Sequence, residues 1–344
     1  MGRNQWEYDK IYLLNSMNIF EGKILLINYQ KIVAVFVLII TCLTLTSCTQ
    51  TEKAKNKPTN DIQDFESIGL SFEHPQTKQK YKIVNAYKLY QNYTDAVESN
   101  PKHSQLEIYE EEVIKPIYSD CIENGEYLNM ADAVLNVTPN QLSENQIISE
   151  KIDREETEKI IKETLIKSSD LLPTDNETTV CVFPAINVNA SMVTVGAGKI
   201  IVLYNKYYTD DTLRAGITHE YHHSVWTEKR PYNDTTVLDH VLFEGKAVMF
   251  EKLVYPKNDF TPVDFTYNKV YWSKVALDLE KRDLSRAMEI NMGGNGLPNL
   301  YGYSEGYKMV KSYLDLYPNV TPEEWTTLSS KEIFRKGNYL QNYN

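Results

Sequence analysis

The sequence predicts an α+β fold in which a short β-hairpin or small sheet is followed by a predominantly helical domain. Three observations within the 344 residues favour this order. The β-branched runs cluster between residues 178 and 204. Apolar residues recur three and four positions apart both before and after this stretch, as in amphipathic helices. Strands and helices do not alternate regularly, which disfavours a doubly wound parallel sheet.

The N-terminal region, residues 65–172, is predicted to be mostly helical. Its apolar periodicity is helical, for example over residues 86–99, 105–124 and 144–169. Residues 170–177, which contain Pro173 and Asn176, form the clearest internal break. The region is interpreted either as a cap over a cleft or as a stabilising domain.

Three short strands are predicted after this break, over residues 178–183, 192–195 and 200–204. The second and third flank Gly196-Ala197-Gly198, which is typical of a hairpin turn. Either of these two strands is a candidate edge to which an extended peptide would add by main-chain hydrogen bonds. A buried position in the core is the alternative for both.

The remainder of the predicted C-terminal domain, residues 178–344, is helical. The apolar periodicity indicates helices over residues 212–228, 236–254, 265–285, 302–316 and 322–336. The first of these has three candidate N-cap residues, Thr209, Asp210 and Asp211. Residues 291–299 (NMGGNGLPN) are predicted to form a glycine-rich loop.

The N-terminus carries an apolar run, residues 32–40 (IVAVFVLII), directly after Lys31. The stretch between Lys31 and Cys48 is too short to cross a bilayer comfortably as a helix. A basic flank, a short apolar run and small residues before a cut site are typical of a signal peptide. An uncleaved N-terminal anchor helix is the alternative.

Residues 45–48 (LTSC) resemble a bacterial lipobox, in which the cysteine is lipidated and becomes the first residue of the mature protein. Residues 1–47 are therefore predicted to be a lipoprotein signal peptide and Cys48 the lipidation site. Residues 48–64 are polar and suit a flexible tether. We expect a protein that is lipid-anchored on the extracytoplasmic face of the cell membrane.

Composition and charge limit the class of partner. Lys and Arg number 36 against 47 Asp and Glu, a formal net charge of -11. This balance disfavours nucleic acid, which binds basic surfaces, and leaves a peptide or protein substrate and the membrane as expected partners. Outside the predicted signal and anchor, Cys121 and Cys181 are either a disulfide pair or two separate buried thiols.

The motif with the clearest chemistry is HEYHH, residues 219–223, an H-E-x-x-H pattern in a predicted helix. Residues four apart lie one above the other on a helix face, so His219 and His223 can bind one zinc ion. Glu220 can reach a water at the open coordination position. A surface helix with a polar histidine cluster is the alternative.

The identity of the third zinc ligand distinguishes the protein families that share the H-E-x-x-H motif. Trp226 and Lys229 stand where the metzincin pattern requires glycine and histidine. Glu244, 21 residues after the second histidine, is the preferred third ligand. The neighbouring Gly245 and Ala247 permit two helices to approach closely. The rival third ligands are Glu251, His240 and Asp239.

The chemistry expected of this set is hydrolysis. Zinc held by two imidazoles and a carboxylate lowers the pKa of its water to about 7, and Glu220 acts as the general base. Tyr303 and Tyr307 are candidate donors to the developing oxyanion, with His240 as runner-up; packing is the alternative for each. His222 is rotated off the zinc face and is interpreted as a solvated or packed neighbour.

Three segments together resemble the predicted zinc-dependent proteases of bacteria, a family known mostly as a domain of unknown function. They are HEYHH at 219–223, Glu244-Gly245-x-Ala247, and Gly302-Tyr303-x-x-Gly306-Tyr307-x-x-Val310. The resemblance covers about residues 180 to 340. It implies a zincin-like fold and a gluzincin-like peptidase with one Zn²⁺ per chain, but no particular substrate. It further implies His219, His223 and Glu244 as ligands and Glu220 as the base.

One position departs from the thermolysin-type gluzincins. Those proteins carry an acid four residues after the glutamate ligand, where this chain has Val248. Glu251, two turns beyond Glu244, is the candidate to hydrogen-bond a ligand histidine instead.

The predicted function is that of a lipid-anchored extracytoplasmic zinc metallopeptidase. A catalytically silent binding lipoprotein with the same scaffold is the main alternative, although metal binding alone does not require a carboxylate at Glu220. A solute-binding lipoprotein of a transporter is a third interpretation, and it predicts two α/β lobes.

Overall fold

The computed structural model describes residues 68–186, 192–229, 235–257 and 260–343. These residues belong to one compact unit, Asn60–Asn344. The predicted signal peptide, the lipidation site Cys48 and the predicted tether lie outside the described residues.

Five strands form one mixed sheet with the spatial order β1-β2-β3-β5-β4. They are β1 (Gly69–Glu73), β2 (Lys80–Val84), β3 (Thr178–Pro184), β4 (Met192–Gly196) and β5 (Lys199–Tyr204). β2, β3 and β5 run parallel, whereas β1 and β4 pair antiparallel with β2 and β5. All of β3 is buried, because it has a neighbour on each side and helices on both faces. The α+β class and the three predicted strands are confirmed.

β1 and β2 correct the expectation that the region from residue 65 onward is helical at its start. Each strand has only five residues (GLSFE and KYKIV), too few for a clear alternation of apolar and polar residues. β2 pairs with β3, almost a hundred residues later in the chain. Such a non-local partner leaves no mark on the local sequence pattern.

The helices before β3 are short, apart from the last. They are α1 (Tyr90–Ser99), α2 (Gln105–Tyr109), α3 (Lys115–Cys121), α4 (Asp132–Leu135), α5 (Pro139–Ser149) and α6 (Arg154–Ser169), with a π-helical turn, Glu110–Ile114, and 3-10 turns, Ala86–Leu89 and Leu128–Ala131. The single helix predicted over 144–169 is two helices, because the Asp153 side chain accepts from the Glu156 N–H and caps a new helix there.

The helices after β5 include the two longest in the described residues. They are α7 (Asp210–Lys229), α8 (Val237–Val254), α9 (Lys269–Ser273), α10 (Leu284–Met292), α11 (Tyr301–Leu316), α12 (Pro322–Thr327) and α13 (Ser330–Lys336), followed by a 3-10 turn, Tyr339–Tyr343. No helix within the described ranges is long and apolar enough to cross a membrane.

Two predicted helices are interrupted by new caps. Within residues 265–285, Asn268 caps the short α9 and Asp283 caps α10. Within residues 322–336, Ser329 caps α13 and separates it from α12. Each cap satisfies backbone N–H groups of a new first turn, so the chain changes direction where periodicity alone predicts continuation.

The sheet separates two apolar layers. Val180 and Val182 pack with Ile217 and Tyr221 of α7 on one face. Cys181 and Phe183, one position out of step, pack with the N-terminal helices on the other. The predicted 65–172 region and the later domain thus share one sheet. The structure describes no second sheet, so the two lobes expected of a solute-binding lipoprotein are not found among the described residues.

A disulfide joins Cys121, at the end of α3, to Cys181 on β3. Both cysteines are buried. The pairing left open by the sequence is therefore present in the structure, and it fastens the N-terminal helical layer to the centre of the sheet.

Candidate metal centre

α7 positions both histidines of the H-E-x-x-H motif. The Thr209 hydroxyl accepts from the Thr212 N–H, so Thr209 is the cap among the three candidates. His219 and His223, one turn apart on the buried side of the helix, are only 5% and 4% exposed. Their Nε2 atoms lie 3.1 Å apart, so the two rings converge on one point.

Glu244 of α8 completes this cluster. Its Oε2 lies 3.3 Å from Nε2 of His219 and 3.2 Å from Nε2 of His223. Within the described residues, these three side chains form a group that could hold a metal ion, because one ligand atom from each lies within 4.8 Å of the other two.

The donor set fits zinc. Ligands of a tetrahedral zinc lie about 2.0–2.1 Å from the ion and therefore about 3.3 Å from each other. The three distances in the cluster are 3.1, 3.2 and 3.3 Å. Two imidazole nitrogens and one carboxylate oxygen are also the ligand types of a catalytic zinc site with one open position.

The electrostatics of the cluster favour a positive charge at its centre. Burial lowers the pKa of His219, but the carboxylates of Glu244 and Glu251 outweigh burial and raise it to about 10. Burial raises the pKa of Glu244, yet the charges of His223 and His219 bring it well below its usual value. A proton or a metal cation can supply this positive charge, and the two compete for the same ligand atoms.

Close packing of α8 against α11 brings the elements of the site together. A Cβ atom on Gly245 would lie 2.1 Å from the carbonyl carbon of Gly306, and one on Gly306 would lie 2.1 Å from the carbonyl oxygen of Val241. Only glycine permits this approach at either position. The expectation that Gly245 allows two helices to come close is confirmed, and the contact sets Glu244 beside Tyr303 of α11.

Glu251 lies behind His219 and outside the ligand trio. Its Oε2 is 3.5 Å from Nδ1 of His219, and its two oxygens accept from the N–H and the hydroxyl of Thr261 at 3.1 and 2.6 Å. The side chain is completely buried. A carboxylate in this position fixes the orientation of a metal-binding imidazole, so the geometry favours the supporting role for Glu251 over that of third ligand.

We expect Glu251→Gln to weaken zinc binding about 10- to 100-fold, because His219 loses the charge that orients it. Glu244→Ala should weaken binding more, since it removes a ligand atom. Competition with a chromophoric chelator measures both affinities. Glu332→Gln, at a surface ion pair with Lys336, is the matched control. A larger loss in Glu251→Gln than in Glu244→Ala would exchange the two roles.

The other rivals for third ligand are engaged elsewhere. Asp239 forms a capping box with Thr236 at the start of α8. Nε2 of His240 lies 2.9 Å from the Thr235 hydroxyl, and burial lowers the pKa of its ring. Neither side chain belongs to the metal cluster.

Glu220, the proposed base, faces the sheet edge and two tyrosines. The Thr194 hydroxyl of β4 lies 2.8 Å from its Oε2. The Glu220 charge adds to burial in raising the pKa of Tyr208. Burial, followed by the charges of Glu244 and Glu220, raises the pKa of Tyr303 well above its usual value. Both phenols therefore keep their protons at neutral pH.

The structure distinguishes the two tyrosines of the GYSEGY segment. The Tyr303 ring stacks on His219, with centroids 6.0 Å apart. Tyr307 packs edge-on against Phe265 at 5.9 Å, and the charges acting on its phenol are those of Lys311 and Asp315. The geometry thus favours Tyr303 and gives Tyr307 a packing role.

Three contacts at the site have no local signal in the sequence. Two of them are hydrogen bonds, from Thr194 to Glu220 and from Thr261 to Glu251. The third is the stacking of Phe243 on His223, with ring centroids 3.8 Å apart and nearly parallel planes. His222, in contrast, agrees with its interpretation as a packed neighbour. It is buried, stacks on Trp325 and contacts the Thr326 hydroxyl.

β4 is the outer strand on the side of the sheet next to α7, whereas β5 lies between β3 and β4. Of the two candidate strands, only β4 is an edge strand of the sheet among the described residues, and four of its five residues are buried. One end of its edge is used, because the Tyr127 N–H donates to the Val195 carbonyl.

The model of one protein family, described as Predicted Zn-dependent protease (DUF2268), matches residues 155–335. The match begins in α6, earlier than the three motifs that carry the resemblance, and ends in α13. A search of the curated proteins and a search of the solved structures give no match.

Proposed function

Because the chain belongs to the family of predicted Zn-dependent proteases, we propose that it is a gluzincin-type zinc metallopeptidase that hydrolyses peptide bonds. The observation that carries this proposal is the convergence of His219, His223 and Glu244 on one point, with the Glu220 charge acting on His219. These three side chains would hold one zinc ion, and peptides or proteins would be the substrates.

A zinc ion held by these residues would supply Lewis-acid chemistry, which lowers the pKa of water to about 7 and polarises a carbonyl. Glu220 accepts the proton of the attacking water and delivers it to the leaving nitrogen. Tyr303 keeps its phenolic proton and donates a hydrogen bond to the oxyanion as it forms. Beyond the Val195 carbonyl, which Tyr127 uses, the edge of β4 would align the substrate backbone by main-chain hydrogen bonds.

A silent binding protein is the other candidate function. It would need the three ligands but not Glu220, whose carboxylate is nonetheless held by Thr194. A carboxylate that is held in a defined position next to the candidate ligands, without being one of them, supports catalysis over storage or recognition.

The test is zinc content together with proteolysis. We expect the purified full-length protein to hold one zinc ion per chain and to cleave fluorescein-labelled casein. Removal of the metal with 1,10-phenanthroline should abolish cleavage, and added Zn²⁺ should restore it. Absence of stoichiometric zinc would reject the peptidase, while bound zinc without any cleavage would favour the silent binding protein.

We also propose that the enzyme is lipid-anchored through Cys48 on the extracytoplasmic face of the cell membrane. The lipobox-like residues 45–48 support this. The Cys121–Cys181 disulfide supports an oxidising compartment, because disulfides are rare in the cytosol.

Cys48→Ser should move the protein from the membrane pellet to the soluble fraction, since the lipid acceptor is lost. Immunoblots of the two fractions measure this, with Cys42→Ser as the matched control. A Cys48→Ser variant that stays in the pellet would rule out this anchor.

A further inference from the structure

The side chain of Thr194 joins the edge strand β4 to the motif helix α7. It lies on the same face of β4 as Met192, which packs in one apolar cluster with Ile217 and Tyr221 of α7. Thr194 is only 5% exposed. Its hydroxyl lies 2.8 Å from Oε2 of Glu220 and 2.9 Å from the backbone carbonyl oxygen of the same residue.

The hydroxyl has one hydrogen and therefore serves one of these two acceptors at a time. Glu220 lies inside α7, where its carbonyl already accepts from the N–H four residues later. The carboxylate oxygen is not part of the helix backbone and is the nearer of the two acceptors, at 2.8 Å. Donation to the carboxylate is thus the favoured state.

We propose that Thr194 is a positioning residue for Glu220, an inference that rests on the proposed peptidase function. Its hydroxyl holds Oε2 in place and thereby fixes the orientation of the whole carboxylate. A glutamate without this bond would sample other rotamers and reach its working geometry less often. The strand proposed to align the substrate, β4, would also position the Glu220 carboxylate. The substrate and the base would then both be held by the same rigid strand.

The experiment compares Thr194→Val, which has nearly the same shape but no hydroxyl, with Thr194→Ser, which keeps it. Thr178→Val on β3 is the matched control, because the Thr178 hydroxyl is buried and has no hydrogen-bond partner among the described residues. The zinc-loaded full-length proteins are assayed on fluorescein-labelled casein for kcat and KM. Their zinc content and Tm are measured, and crystal structures of wild type and Thr194→Val are compared.

For Thr194→Val we expect kcat to fall about 10- to 100-fold, the effect of one hydrogen bond to a charged group, with KM and zinc content unchanged. Thr194→Ser should stay within about threefold of wild type, and Thr178→Val should equal it. In the crystals, Glu220 should occupy one position in the wild type and a different one, or several, in Thr194→Val.

Equal kcat in Thr194→Val and wild type would overturn the inference and leave the peptidase function standing. Equal losses in the Val and Ser variants, or loss of zinc in Thr194→Val, would also overturn it, because the hydroxyl would not be the cause. If the wild type leaves casein intact, the proposed function fails its own test. The position of Glu220 in the crystals then decides the role of Thr194.

Discussion

Replacing Glu220 with glutamine is expected to lower kcat about 10²- to 10⁴-fold while leaving one zinc ion bound per chain. Glutamine has the size of glutamate but cannot accept the proton of the attacking water, and a positioned general base contributes rate factors of this order. Zinc should remain because the proposed ligands are His219, His223 and Glu244, and Glu220 is not among them. Casein cleavage and atomic absorption measure the two quantities.

Glu228→Gln is the matched control, since it makes the same substitution two turns further along α7. Glu228 accepts a hydrogen bond from Thr174, away from the metal cluster, so this variant should keep its activity. Wild-type kcat in Glu220→Gln would show that another group is the base. Loss of zinc would instead place Glu220 among the ligands.

Gly306→Ala is expected to lower the free energy of unfolding by about 3 kcal/mol, near the upper end for an overpacked contact. The added Cβ would meet backbone, the carbonyl oxygen of Val241 at 2.1 Å and the Cα of Gly245 at 2.9 Å. Backbone cannot turn aside as a side chain can, so α8 and α11 must separate. Zinc affinity should also fall, because Glu244 adjoins Gly245. Denaturant titration and chelator competition measure these effects.

Gly216→Ala on α7 provides the control for a change of glycine to alanine inside a buried helix. The nearest atoms to its added Cβ belong to the Met192 side chain, which is flexible and can move. Alanine also favours the helix by about 1 kcal/mol. We therefore expect little net change in stability for Gly216→Ala. An equal loss in both variants would show that the effect of Gly306→Ala is not due to the close contact between α8 and α11.

The sequence predicts the parts of the site that lie within one helix. Helix geometry is the same in every protein, so a spacing of four is enough to place His219 and His223 on one face. The strands over residues 178–204 could also be predicted, because they are rich in β-branched residues and two of them flank a glycine turn. The helix carrying Glu244 is long enough to show its period.

Contacts between segments that lie far apart in the chain could be identified only from the tertiary structure. The pairing of β2 with β3 and the Cys121–Cys181 bond join segments far apart in the chain, and local periodicity carries no information about them. The choice of Tyr303 over Tyr307 depends on how α11 is rotated against α8, which the Gly245–Gly306 contact determines.

By itself, then, the sequence determined the α+β class, the family resemblance, the two-histidine motif and Glu244 as the preferred third ligand. The tertiary structure alone showed how the site is supported, with Glu251 behind His219 and Thr194 against Glu220. The physical reason is the separation along the chain of the residues that interact. Spacing along one helix follows from backbone geometry, whereas a contact between two elements exists only after both have packed into a common core.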